Sequence, residues 1–146
     1  MVEDPGERAE RIERRTDRIL WMSGAAFVAW QLAWFALYAG ADGPLRAVDK
    51  VISLAFVAWA AALLFLTATG GGAFAGQAVR ERLDDELARA RRTQAYRSGF
   101  WAMAAVALAG YAAAQLTPVA ARDLAHVVVS AGVAAAVLTL AHLRRG

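Results

Sequence analysis

Four long apolar stretches, Ile19 to Gly40, Val51 to Gly70, Gly99 to Leu116 and Leu124 to Leu143, hold no charged residue between their ends. Each is roughly 18 to 22 residues long, and at about 1.5 Å rise per residue a helix of that length covers the roughly 30 Å hydrocarbon core of a bilayer. The expected fold is therefore all-α, an integral membrane four-helix bundle with spans at 19–40, 51–70, 99–116 and 124–143. Composition agrees, because 59% of the residues are hydrophobic while the 20% that are charged fall in a few blocks. Four spans in 146 residues leave short connectors and no room for a second folded domain.

The basic residues give the threading. Arg8, Arg11, Arg14, Arg15 and Arg18 precede the first span. Arg80, Arg82, Arg89, Arg91, Arg92 and Arg97 lie between the second and third, and Arg144 and Arg145 follow the fourth. Only Arg46, Lys50 and Arg122 of the sixteen basic residues lie in the other two connectors. Short loops rich in Arg stay on the cytoplasmic side, so both termini are expected there. A cleaved signal peptide at Ala39-Gly40-Ala41 is not expected: the apolar run is too long for a signal core, and the segment before it mixes Glu, Asp and Arg.

Several chemistries are excluded or unsupported. The chain has no cysteine, hence no disulfide, thiolate metal site or Cys nucleophile. His126 and His142, sixteen positions apart on one expected helix, stand roughly 24 Å apart along its axis and cannot share a metal ion. Each reads as a marker of an interfacial helix end. The spans contain no Asp, Glu, Lys or Arg, the groups that pumps and voltage sensors rely on. The Gly70-Gly71-Gly72 run lacks the Lys-Ser or Lys-Thr of a phosphate loop and reads as a helix terminator. No catalytic set is visible, so no enzyme, cofactor or metal is expected. The net charge of +3 follows the membrane flanks, which favours lipid headgroups over nucleic acid as the counterion.

Within the spans, small and polar residues say more about packing than Leu does. Ala105 and Ala109 in the third span, and Ser130, Gly132 and Ala134 in the fourth, are expected to pack these two helices as a hairpin across Thr117-Pro118. Gln31 is the expected interhelical hydrogen-bonding group. Trp21, Tyr38 and Trp101 fall at span ends and are expected as interface anchors. Trp30, Trp34 and Tyr38 recur every four positions and form one stripe, read as a helix-packing face.

Two amphipathic or charged cytoplasmic helices complete the reading. Residues 1–18 carry Glu7/Arg11 and Glu10/Arg14 at the favourable four-residue spacing, and form a solvated extension of the first span or lie on headgroups. Residues 77–98 carry an apolar seam of Val79, Leu83, Leu87 and Ala90 among charges. A helix rising straight from Gln77 into the third span would start too far from the membrane for Gly71 to Gly76 to reach, so either the second span continues past Gly70 as a stalk or the helix lies along the interface and bends near Ser98-Gly99; the Gly70-Gly71-Gly72 run favours the bend.

At Leu83-Asp84-Asp85-Glu86-Leu87, and again at Gln94-Ala95-Tyr96-Arg97-Ser98-Gly99-Phe100-Trp101-Ala102-Met103, the chain resembles a group of small bacterial membrane proteins that look like partners of short helix-turn-helix regulators. The resemblance covers roughly twenty residues. It implies residence in the bacterial cytoplasmic (inner) membrane and a role in holding or inhibiting a cytoplasmic DNA-binding protein. Asp84, Asp85 and Glu86 would then meet a basic regulator surface, with Leu83 and Leu87 as apolar anchors. The alternatives are a subunit of a homo-oligomeric channel or transporter, and an accessory subunit of a larger membrane complex.

Overall fold

A computed structural model describes residues 5–38, 47–70, 73, 77 and 85–144. Among them there are four long helices and no strand: α1 Pro5–Tyr38, α2 Ala47–Thr69, α3 Glu86–Ala114 and α4 Ala121–Leu143. Pro5 opens α1, where its missing N–H costs no hydrogen bond. The helix then runs through the expected boundary at residues 18 and 19 without a break, so the charged segment is an extension of the first span. Gly70 closes α2 in the left-handed conformation, φ 60°, and its N–H donates to Leu66 O at 3.0 Å.

The third helix departs from expectation in two respects. Its described part begins at Glu86, and residues 78–84 of the expected 77–98 helix lie outside the described residues. It passes Ser98 and Gly99 as one uninterrupted helix, so the bend placed there is corrected. The difficulty that suggested the bend disappears when the rise begins at Glu86, because Glu86 to Gly99 adds only about 20 Å to the membrane edge and leaves a longer connector. Finally, α3 ends at Ala114, where Gln115 and Leu116 turn back onto Ala112 O and Ala113 O. Its apolar part from Gly99 to Ala114 is therefore about 24 Å long, short of a full hydrocarbon core. Three helices, α1, α2 and α4, are long and apolar enough to cross a membrane, where the sequence suggested four.

The fourth helix is the centre of the bundle. Ser130, Gly132, Val133, Ala136, Val137, Leu140 and Ala141 are buried on it, and α1, α2 and α3 all pack against it. Small residues make this possible because they let several backbones approach one axis. The α3–α4 hairpin closes most tightly at Gly99, where a Cβ would stand 2.8 Å from Gly132 O, and at Gly132, where it would strike Met103. Thr139 Oγ1 donates to Ser98 Oγ at 2.9 Å across the same seam. On the other side, Leu20 and Phe27 of α1 meet Phe56, Ala60 and Leu63 of α2 over Val133, Val137 and Leu140. Phe27 stacks on Phe56 and meets Trp59 edge-on, with centroids 5.9 and 5.6 Å apart.

Candidate functional site

Two places in the bundle gather polar chemistry. The first is the end where α1 and α3 begin and α2 and α4 finish. Arg144 Nη1, just past α4, donates to Asp17 Oδ1 of α1 at 2.9 Å, and both side chains are largely shielded. One turn inward, Trp21 Nε1 donates to Ala141 O at 3.2 Å. Arg92 of α3 donates to Ala68 O at the end of α2, 2.8 Å, and to Ala88 O of its own helix, 3.2 Å. These contacts fix the four helix ends at one level. Beyond that level Pro5 to Thr16 of α1 continues for about 18 Å and Glu86 to Arg91 of α3 for about 9 Å. A charged helical head results, with Glu7, Arg8, Glu10, Arg11, Glu13, Arg14 and Arg15 exposed on α1 and Glu86, Leu87 and Arg89 exposed on α3. Burial raises the Tyr96 phenol above its ordinary value, against an opposing pull from Arg92, so it keeps its proton through the physiological range.

The proposed contact residues divide at this head. Asp85 Oδ1 accepts from Ala88 N at 2.7 Å and caps α3, so its carboxylate serves its own helix first. Glu86 and Leu87 are exposed and free to meet a partner, Leu87 at 57%. Leu83 and Asp84 lie outside the described residues.

The second place is the far half of α1 and α4. Gln31 Oε1 and His126 Nε2 lie 2.6 Å apart, which realises the interhelical hydrogen bond expected of Gln31. The His126 ring stacks on Trp34 at 4.0 Å and faces Phe56 at 4.2 Å, with Phe35 edge-on at 6.5 Å. Gln31 is buried, and its Nε2 has no hydrogen-bond partner among the described residues. His126 stands in the second turn of α4, near a helix end as expected, and in addition touches both α1 and α2. Sequence reasoning missed this because its partners lie on α1 and α2, far away in the chain.

Other expected packing residues are mixed. Ser130 and Gly132 are buried and Ala134 is half-buried, but the Ser130 hydroxyl donates back to His126 O of its own helix at 2.7 Å. Ala105 and Ala109 are exposed, which corrects their place in the α3–α4 seam. They lie about 100–140° round the helix from the line of Gly99, Met103 and Gly110 that faces α4. Trp101 is exposed at 60%, as a lipid-facing anchor requires, whereas Trp21 is turned into the bundle. The Tyr38 side chain is outside the described residues, although its backbone ends α1. No group of His, Asp and Glu that could hold a metal ion occurs among the described residues.

No protein-family model, no curated protein and no solved structure matches the chain.

Proposed function

We propose that the chain is a non-enzymatic integral membrane protein of the bacterial cytoplasmic membrane, with both termini cytoplasmic, whose charged head holds or inhibits a cytoplasmic DNA-binding regulator. The observation that carries this reading is the head itself. Two helices project past the membrane-length part of the bundle on the Arg-rich side, and an ion pair and two interhelical hydrogen bonds brace them. Such a brace orders the exposed side chains before a partner arrives, which lowers the entropic cost of binding. Glu86 and Leu87 offer the acidic and apolar contacts, and Asp85 acts through the cap that sets the start of α3. In this reading α3 is embedded from Gly99 onward. It lies along the membrane-length α4, and Arg97 at its edge reaches outward to the headgroups.

The test is affinity purification of the tagged full chain from native membranes with bound proteins identified by mass spectrometry. A soluble DNA-binding protein is expected with the wild type and is expected to be lost with Glu86→Arg and Leu87→Glu together. Recovery of no such protein, or recovery unchanged by the double variant, would sink the reading. Recovery of other integral membrane subunits in fixed ratio would replace it with the accessory-subunit alternative, and ion flux from reconstituted liposomes with the channel alternative.

A further inference from the structure

Some guanidinium groups at this end are engaged by other parts of the chain and some are not. Arg14 pairs with Glu10 at 3.6 Å, Arg144 with Asp17 at 2.9 Å, and Arg92 is tied to Ala68 O. Arg15, Arg18 and Arg97, by contrast, are exposed and make no hydrogen bond or ion pair with any of the described residues. Their position is not random. Arg15 precedes Ile19 by four residues and Arg18 precedes Met22 by four, so each stands one turn above an exposed apolar side chain on its own face of α1. Arg97 stands in the same relation to Phe100 and Trp101 on α3. Met22, Phe100 and Trp101 are 67%, 63% and 60% exposed, and they form the edge of the apolar surface at this end.

The geometry fits one ligand. Side chains on a helix lean toward its N-terminus, and both α1 and α3 have their N-termini pointing out of the bundle here. Each guanidinium therefore leans away from the apolar edge of its own helix by about one turn, about 5 Å, which is the depth at which lipid phosphates lie outside the hydrocarbon core. By the α4 residues that each helix meets, Arg97 starts about 7 Å deeper than Arg18 and reaches the phosphate level by extending its side chain outward. Arg15 and Arg18 are three residues apart on one face, close enough to share a phosphate. We propose that Arg15 with Arg18, and Arg97, bind the phosphates of anionic phospholipids whose acyl chains lie along Ile19 and Met22 and along Phe100 and Trp101. The inference rests on the bundle being embedded with this end at the membrane surface. It adds which side chains read lipid charge.

The experiment is native mass spectrometry of the purified full chain in mild detergent, titrated with phosphatidylglycerol or phosphatidylcholine of matched acyl chains. Wild type is expected to retain phosphatidylglycerol about tenfold better, the scale set by one to two guanidiniums near an anionic surface. The preference is expected to fall close to parity in the triple variant Arg15→Gln, Arg18→Gln, Arg97→Gln. Arg14→Gln, whose guanidinium is already paired, is expected to keep it. Circular dichroism of each variant confirms that helix content is unchanged. Soluble glycerol phosphate at equal concentration is expected to leave the lipid bound, because it lacks the chains that cover Met22 and Trp101; its displacing the lipid would mean a free-phosphate site and overturn the assignment. No preference in wild type, a preference that survives the triple variant, or equal loss in Arg14→Gln would overturn it too. Failure of the membrane reading shows itself separately, as protein recovered from the soluble fraction of lysed cells.

Discussion

Replacing His126 with Ala tests whether the buried polar pair is what locks α1 to α4. The change removes the 2.6 Å contact with Gln31 and the ring contacts with Trp34 and Phe56. An interhelical hydrogen bond within a membrane is worth about 0.6–2 kcal/mol, and each close ring contact adds about 0.5–1.5 kcal/mol. Gln31 is left worse than before. Its Nε2 already lacks a partner, and without His126 its Oε1 does too, at a cost of about 1–3 kcal/mol for a buried polar group. These terms overlap, so the expected loss is about 2–4 kcal/mol. Gln31→Leu should behave oppositely. It fills nearly the same volume and removes the orphaned N–H, and it leaves a half-buried His126 that still reaches water or headgroups. Its expected change is within about 1 kcal/mol of zero. The assay is reversible unfolding of the purified chain from mild detergent into sodium dodecyl sulfate, followed by far-ultraviolet circular dichroism. Equal destabilisation by the two variants would refute the reasoning, because the pair would then contribute as a unit and the unpartnered amide would carry no cost.

Other outcomes follow from the same contacts. Gly132→Val places a side chain against Met103 at the tightest point of the α3–α4 hairpin and is expected to cost about 1–3 kcal/mol in the same unfolding assay, whereas Ala105→Val, on the exposed face, should cost under about 0.5 kcal/mol. Asp85→Ala removes the cap of α3; amide hydrogen exchange at residues 86–89 should accelerate by about fivefold, the effect of about 1 kcal/mol, with residues beyond Gly99 unchanged. Gly70→Ala forces a Cβ into a left-handed conformation and towards Arg144, so it is expected to destabilise by about 1–2 kcal/mol, read as a lower unfolding midpoint.

Three of the four expected spans, those of α1, α2 and α4, were legible as helices of membrane-crossing length and composition because hydrocarbon solvation acts over some twenty residues at once and needs no knowledge of which face points where. Rotation about each axis was not legible, and α3 shows why. Its apolar part is so rich in Ala and Gly that two lines of small residues, one through Gly99 and one through Ala105 and Ala109, look alike in sequence. The structure chooses the first, where glycine rather than alanine allows the backbone of Gly132 to come within contact distance. The better signal was therefore the glycine on each strand of the hairpin rather than the alanine repeat. Asp85 carried a second readable signal. An Asp immediately before a run of good helix formers is a capping residue before it is anything else, and the structure uses it so.

Gln31 and His126 show a different limit. Gln31 stood out because an amide among apolar residues must find a partner, and burial of one without a partner is costly. His126 did not stand out, since a histidine one turn inside a span end satisfies the local rule for interfacial residues. What distinguishes it is that α1 presents Gln31 and Trp34 at the same depth from one side while α2 presents Phe56 from the other. The antiparallel register of α1 on α4 brings these groups near one another: with Asp17 on Arg144 and Trp21 on Ala141, Gln31 comes within about 6–8 Å of the level of His126 along the axis, and helix tilt and the two long side chains cover the rest. The ion pair at the charged end and the polar pair at the far end are therefore two readings of one register. A change that slides α1 by a single turn would have to break both.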